Sequence, residues 1–263
     1  MIVTPERIRL AGCPVQVCSL EGAAAELCDR IRTHTKTHVV FVNAAKVVQY
    51  QKDPALREVI ERADMLLADG MPLVWLSRMK GTPLPCRIAG VDLMELMVAA
   101  AAERGYRVFF LGAKREVVSK VVAHFQWKYP QLKLAGFSDG YFKACEEERI
   151  VTKIKKSNAD LVLIAMSTPQ KEFWADRNLE RLGTMVCQGV GGGFDVITGV
   201  TKRAPRWMQR SGLEWSYRLL QEPRRMWKRY LFSNLSFIRL ALLDLFNGYG
   251  EIEAHSIPAS SSD

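Results

Sequence analysis

The chain has 263 residues, is 48% apolar and carries a formal net charge of +9. A chain of this size can bury one sizeable core, so we expect one catalytic domain with an appendage. The first ten residues contain no apolar stretch behind a basic segment, which argues against a secretory signal and predicts a protein that stays in the cytosol. The positive charge indicates an anionic partner.

The cysteines and histidines do not form the common metal-binding motifs. The six cysteines include no C-x-x-C pair, and the four histidines stand apart from them and from one another. We therefore predict reduced thiols and no structural metal.

Short apolar runs alternate with helical stretches up to about Gly199. Strands are predicted at residues 38–43, 65–68, 107–111, 132–136, 161–165 and 185–189. The clearest helices are predicted at residues 91–103 and 116–129, and another is predicted at residues 169–181. This alternation is typical of βαβ units, so residues 1–199 are predicted to form an α/β domain with a doubly wound, mainly parallel, Rossmann-like sheet. Ligands of such sheets bind beyond the carboxyl ends of the strands.

Two polar side chains stand at the ends of predicted strands. Asn43 ends the first strand, and Asp69 follows the second. The carboxylate of Asp69 suits a general base that accepts a proton from an attacking hydroxyl. The alternative is an Asp-Gly turn or a helix cap, which the spacing alone favours.

Two later segments offer candidate groups for binding a substrate. The glycine-rich residues 189–194 would let backbone N–H groups approach a phosphate, and a structural turn before Asp195 fits the local sequence equally well. Gln170, Lys171 and Glu172 supply an amide, an ammonium and a carboxylate that suit a nucleotide or a sugar. An ordinary solvated helix start is the alternative for that run.

Residues 200–247 differ in character and are predicted to form a basic helical appendage. Residues 201–230 contain nine basic and two acidic side chains, interleaved with tryptophan and tyrosine, and residues 231–246 are mostly apolar. That apolar run is too short and too charged to span a bilayer. The combination favours a membrane surface over a solvated helix packed on the domain. Residues 248–263 are small and polar, which predicts a disordered tail.

Two other classes of protein remain open at this point. A Rossmann-type NAD-dependent oxidoreductase is disfavoured because the glycine spacing is not G-x-G-x-x-G. A basic nucleic-acid-binding protein suits the arginines and aromatic residues, but the apolar run at 231–246 argues against it.

Several short motifs follow one another in a recognisable order between residues 8 and 230. They are Val42-Asn43-Ala44, Ala68-Asp69-Gly70-Met71-Pro72, Arg87-Ile88-Ala89-Gly90-Val91-Asp92-Leu93, Phe110-Leu111-Gly112, Gly189-Val190-Gly191-Gly192-Gly193-Phe194-Asp195-Val196, Lys202-Arg203-Ala204-Pro205, Gly212-Leu213-Glu214-Trp215 and Tyr217-Arg218-Leu219-Leu220-Gln221-Glu222-Pro223-Arg224-Arg225. In this order they resemble the WecG/TagA/CpsF family of bacterial glycosyltransferases, which is glycosyltransferase family 26.

The resemblance implies an α/β enzyme that is inverting, independent of metal and without a cofactor. The implied donor is a UDP-sugar that carries N-acetylmannosamine, N-acetylmannosaminuronic acid, glucose or a similar sugar. The implied acceptor is an undecaprenyl-diphosphate-linked saccharide of cell-surface polysaccharide biosynthesis. The enzyme would act as a peripheral protein at the inner face of the cytoplasmic membrane, with no nucleic-acid partner. Whether it forms homo-oligomers stays open.

The resemblance also assigns roles to individual positions, with Asp69 as the catalytic base. It implies substrate binding by Asn43, Arg87, Gln170, Lys171, Glu172, Gly191, Gly192 and Asp195, and binding of the lipid diphosphate by Arg218, Arg224 and Arg225. The chain departs from the family pattern in two places. Some relatives carry threonine at the position of Phe41, and relatives usually read Pro-x-Gln-Glu where this chain reads Pro169-Gln170-Lys171-Glu172.

Overall fold

The computed structural model describes residues 6–205, 207–208, 216–217 and 223–247. Within the last range, side chains are described for residues 233–246. The elements in chain order are β1 (Arg7–Leu10), β2 (Cys13–Gln16), α1 (Leu20–Arg32), β3 (Thr37–Val42), α2 (Ala44–Lys52), α3 (Pro54–Arg62), β4 (Met65–Ala68), α4 (Met71–Met79), α5 (Gly90–Arg104), β5 (Arg107–Gly112), α6 (Arg115–Lys128), β6 (Lys133–Ser138), a 3-10 turn (Ala144–Glu146), α7 (Glu147–Ser157), β7 (Leu161–Ala165), α8 (Gln170–Leu182), β8 (Val186–Gly189), α9 (Gly193–Ile197) and α10 (Pro223–Asn247).

The six predicted strands form one sheet, in the order β4-β3-β8-β7-β5-β6, and every neighbouring pair is parallel. This confirms the predicted doubly wound α/β class. β1 and β2 form a separate antiparallel hairpin that the sequence reasoning missed. β6 continues to Ser138, two residues beyond its predicted end, because Phe137 and Ser138 keep pairing with β5.

The sheet is covered by helices on both faces, and alternate strand residues point to opposite faces. Val39 and Phe41 of β3 belong to the apolar cluster shared with α1, α5, α6 and α9. Val40 and Val42 point the other way, toward α2, α3 and α4. Parallel strands buried on both faces are nearly continuous apolar runs, which is why the sequence predicted them well.

A crevice opens where two neighbouring strands send the chain to opposite faces. β3 leads into α2 on one face, whereas β8 leads into α9, whose Phe194 packs on the other face. In open α/β sheets this arrangement creates the ligand-binding site. The fold therefore places the site at the carboxyl ends of β3, β4 and β8.

The helix α10 is joined to the rest of the molecule through a buried carboxylate. Asp244 accepts a hydrogen bond from the Ala11 amide at 2.7 Å and contacts the Lys80 ammonium at 2.7 Å. Phe237 and Ala241, on the same helix, are buried in the apolar cluster that α2 and α4 share. The described part of α10 thus forms a wall beside the carboxyl ends of the strands. No helix among the described residues is long and apolar enough to cross a membrane.

Candidate active site

A cavity of about 620 Å³ lies at the predicted edge of the sheet. Its polar floor is contributed by Asn43, Lys46, Asp69, Arg87, Thr168 and Lys171, and one side by the glycine loop 189–193. The outer part is lined by apolar side chains of α4 and α10. A polar floor beneath an apolar mouth suits an amphiphilic substrate.

Asn43 and Asp69 lie side by side because their strands are neighbours. The Asp69 amide donates to the Val42 carbonyl at 2.7 Å, which extends the β3–β4 pairing by one residue. The Asn43 side chain accepts from the Lys46 amide at 3.0 Å, so it also caps α2. Gly70 has a φ of 144°, which side chains rarely adopt, and this turn starts α4 immediately after Asp69.

Arg87 reaches the same floor from the segment that precedes α5. The amide of the next residue, Ile88, donates to the Ala68 carbonyl at 2.7 Å. This hydrogen bond fixes the backbone beside Arg87 at the end of β4, the strand that Asp69 follows. Arg87 and Asp69 both line the cavity. A guanidinium at this place can neutralise phosphate or stabilise charge that develops on a leaving group.

The glycine loop leaves its backbone open toward the cavity. A Cβ atom built at Gly191 or Gly192 would meet no heavy atom within 4 Å. Close packing therefore does not explain these glycines, although Gly191, at a φ of 51°, has the left-handed conformation that favours glycine. Open backbone at the end of a strand suits the approach of a phosphate. Asp195 lies further along, in α9, and is not among the residues that line the cavity.

A buried charge cluster forms part of the floor, and its three members come from α2 and α8. One carboxylate oxygen of Glu172 contacts the ammonium groups of both Lys46 and Lys171, the latter at 2.8 Å. Lys171 also donates to the Thr168 hydroxyl and lines the cavity. Gln170, by contrast, contacts Ser167 and does not line the cavity.

The cluster perturbs the ionisation of its members. Burial acts to raise the pKa of Glu172, but the charges of Lys46 and Lys171 outweigh it and lower that pKa to about 2. Burial, together with the charge of Lys46, lowers the pKa of Lys171 to about 8. His38, buried in β3 nearby, has its pKa lowered by burial to about 4 and is neutral near pH 7.

Sequence reasoning missed Lys46 and the contribution of α4. Lys46 stands three residues after Asn43, in the first turn of α2. This short separation from the end of β3 is the sequence feature that could have identified Lys46 as a site residue. The apolar mouth combines Trp75 and Met79 of α4, 42% and 62% exposed, with Ile238 and Leu242 of α10, 53% and 49% exposed. Exposed apolar side chains that line one cavity from two helices indicate a surface for apolar material.

The predicted diphosphate-binding arginines are not tested by the structure. Arg218 lies outside the described residues, and so do the side chains of Arg224 and Arg225, whose backbone belongs to α10. Residues 248–263 also lie outside them. In the described part of the chain, no group of three or more histidine, cysteine, aspartate or glutamate side chains could hold a metal ion.

Comparison with known proteins places these residues in a wider context. The model of the family "Glycosyl transferase WecG/TagA/CpsF family" matches residues 8–251. A protein of Bacillus spizizenii strain W23 is 36% identical over 193 residues, which cover 73% of this chain and 74% of that protein. A protein of Bacillus subtilis strain 168 is 37% identical over 180 residues, which cover 68% and 69%. Both are named N-acetylglucosaminyldiphosphoundecaprenol N-acetyl-beta-D-mannosaminyltransferase.

Proposed function

Because the chain belongs to the WecG/TagA/CpsF family of glycosyltransferases, we propose that it transfers a sugar from a UDP-sugar to an undecaprenyl-diphosphate-linked saccharide. The names of the two Bacillus relatives support an acceptor with N-acetylglucosamine next to the diphosphate. The observation that carries the proposal is the cavity that places Asp69 and Arg87 beneath an apolar mouth. Family membership favours this function over an NAD-dependent oxidoreductase or a nucleic-acid-binding protein.

The proposed reaction is a single displacement that inverts the anomeric carbon. Asp69 accepts the proton of an acceptor hydroxyl, and that oxygen forms a bond to the anomeric carbon of the donor. The bond from this carbon to the diphosphate oxygen breaks, and UDP leaves with the electron pair. Arg87 and the open backbone at Gly191 and Gly192 are the groups that would stabilise the charge on the departing diphosphate.

The apolar mouth is proposed to receive the lipid part of the acceptor at the inner face of the cytoplasmic membrane. Undecaprenyl chains are hydrocarbon, so they match exposed tryptophan, methionine, isoleucine and leucine side chains. The saccharide and diphosphate would then reach the polar floor while the lipid stays at the mouth. Arg218, Arg224 and Arg225 are proposed to bind the diphosphate, because arginine forms paired hydrogen bonds with phosphate oxygens.

Release of UDP tests the reaction. The enzyme is incubated in EDTA with a panel of UDP-sugars, with and without a short-chain undecaprenyl-diphosphate-GlcNAc analogue. We expect acceptor-dependent UDP release with at least one donor, because the proposed charge stabilisation uses protein groups rather than a metal. Absence of release with every donor, or release that does not depend on the acceptor, would contradict the proposal.

Membrane binding is tested by placing charges in the mouth. We expect the double variant Ile238→Asp, Leu242→Asp to lower the partition constant for phosphatidylglycerol vesicles by about tenfold or more, since each half-exposed side chain contributes about 1 kcal/mol when buried in lipid. Trp127→Asp is the matched control, because Trp127 is 81% exposed on α6 and does not line the cavity. Sedimentation with vesicles measures the effect. Equal binding by the double variant and the wild type would exclude this surface as the contact.

A further inference from the structure

The turn of the β1–β2 hairpin is held in an unusual backbone conformation. Ala11 has a φ of 48° and Gly12 a φ of 77°, both in the left-handed region. A residue with a side chain is rarely stable there unless the surrounding structure holds it in place. At Gly12 an added Cβ would lie 2.8 Å from the amide nitrogen of Gln51, so α2 packs directly against the turn. The contacts around this turn therefore determine its conformation.

Three helices form hydrogen bonds with this hairpin. Gln51 of α2 donates to the Ala11 carbonyl at 2.6 Å. Lys80, which caps the carboxyl end of α4, donates to the Arg9 carbonyl at 3.1 Å. Asp244 of α10 accepts from the Ala11 amide at 2.7 Å and pairs with the Lys80 ammonium at 2.7 Å. We call these five residues the hairpin junction, because they join α2, α4 and α10 at one place.

The same three helices surround the cavity. α2 carries part of the polar floor, and α4 and α10 carry the two sides of the apolar mouth. Met79 of the mouth is followed directly by Lys80, and Leu242 of the mouth stands two residues before Asp244. Neither Lys80 nor Asp244 is among the described residues that line the cavity. A change in their contact therefore reaches a bound substrate through the positions of the two helices.

The buried ion pair fixes α10 in one position relative to α4. The Asp244 side chain is fully buried, and that of Lys80 is 16% exposed. Separating such a pair leaves a buried charge without its partner, which is costly. Phe237 and Ala241 also hold α10 on the domain, but apolar contacts are non-directional. The ion pair and the amide hydrogen bond thus supply the direction that the apolar contacts lack.

We propose that the hairpin junction sets the width of the apolar mouth, with Asp244 as a positioning residue for the lipid part of the acceptor. This inference rests on the proposed function, in which the mouth receives that lipid. Without the contact, α10 stays attached through its apolar side but occupies several positions, of which only a fraction match the lipid. The apparent affinity for a lipid-bearing acceptor falls by that fraction, whereas the affinity for a lipid-free acceptor does not.

The experiment compares two acceptor probes, geranyl-diphosphate-GlcNAc and methyl-diphosphate-GlcNAc, by calorimetric binding to the full chain. The wild type is expected to bind the geranyl probe about tenfold or more tightly than the methyl probe, because the prenyl chain is buried in the mouth. Asp244→Leu should weaken binding of the geranyl probe by about tenfold and change that of the methyl probe by less than about twofold. Asp244→Asn, which keeps an oxygen for the Ala11 amide, should lose less.

Lys80→Met breaks the same contact from α4. Because it keeps the aliphatic stem of the lysine, this variant supplies the measurement even where Asp244→Leu does not fold. The double variant Lys80→Met, Asp244→Leu should lose no more than Asp244→Leu alone, since both changes remove one interaction. Asp160→Leu is the matched control, because Asp160 accepts the Arg107 amide at 2.8 Å at the opposite edge of the sheet. It should keep the wild-type preference for the geranyl probe.

Three results would overturn the inference: a wild type that binds both probes equally, an unchanged geranyl preference in the folded variants, or an equal loss of affinity for both probes. The last would assign the junction to general stability. Transfer from the UDP-sugar to each probe is measured separately. A geranyl preference without transfer by the wild type would contradict the transferase proposal, and transfer with an unchanged preference in the variants would contradict this inference alone.

Discussion

Replacing Asp69 by asparagine is expected to lower kcat for sugar transfer by about 10²–10⁴-fold, which is the range that a general base contributes. The amide has nearly the same shape but cannot take a proton from the acceptor hydroxyl. The turn at Gly70 and the backbone hydrogen bond from Asp69 to Val42 do not involve the carboxylate, so the local fold should persist. Single-turnover UDP release with saturating donor and acceptor measures the loss.

Asp139→Asn is the matched control for that prediction. Asp139 also follows a strand, β6, at the same edge of the sheet, but it does not line the cavity and its carboxylate accepts from the Tyr141 amide. We expect wild-type turnover for the control and unchanged circular dichroism for both variants. A folded Asp69→Asn enzyme with normal turnover would remove Asp69 from the role of base.

Replacing Glu172 by leucine is expected to destabilise the protein by about 3–5 kcal/mol, because it leaves buried charges without their partner. Lys46 and Lys171 both contact the carboxylate that is lost. Urea unfolding followed by circular dichroism measures the difference. The triple variant Lys46→Met, Lys171→Met, Glu172→Leu is the control, since apolar replacement of a whole buried ionic cluster is often neutral. Recovery of stability in the triple variant would assign the loss to unpaired charge, whereas equal loss in both would assign it to packing.

The stability difference between Glu172→Leu and the wild type should also depend on pH. The pKa of Glu172 is lowered from 4.5 to about 2 in the folded state. A carboxylate whose pKa is lower in the folded than in the unfolded state stabilises the fold fully at pH values above its unfolded pKa. For Glu172 this stabilisation is lost as the pH falls from about 4.5 toward 2. The two proteins should therefore become more alike in stability on acidification through this window.

The fold was largely predictable because its central strands are buried on both faces and so appear as uninterrupted apolar runs. β3, β4 and β7 were located in this way. The β1–β2 hairpin was missed because it lies outside the central parallel sheet, and its first strand is only partly buried and so gives no continuous apolar run. Its turn at Ala11 and Gly12 carries no strong turn dipeptide.

Local sequence pattern predicted the site only where a functional group stands at the end of a strand, and Arg87 was identified through the family resemblance alone. Asn43 and Asp69 were found because neighbouring parallel strands bring their carboxyl ends together. The contact between Lys46 and Glu172 joins residues that are 126 positions apart in the sequence. They lie on two different helices, and no local sequence pattern shows that these helices are neighbours in the fold. The apolar mouth likewise required α4 and α10 to be seen side by side.

The attachment of α10 through Asp244 has a consequence for how the protein is made. Its partners Ala11 and Lys80 are synthesised 233 and 164 residues earlier, respectively. A chain emerging from the ribosome can therefore form the hairpin and pair the strands before the helix that walls the cavity exists. During that interval the apolar side of α4 faces water, and the cavity has a floor without its outer wall. The cavity gains this outer wall only when the last helix docks, which is after translation has passed residue 244.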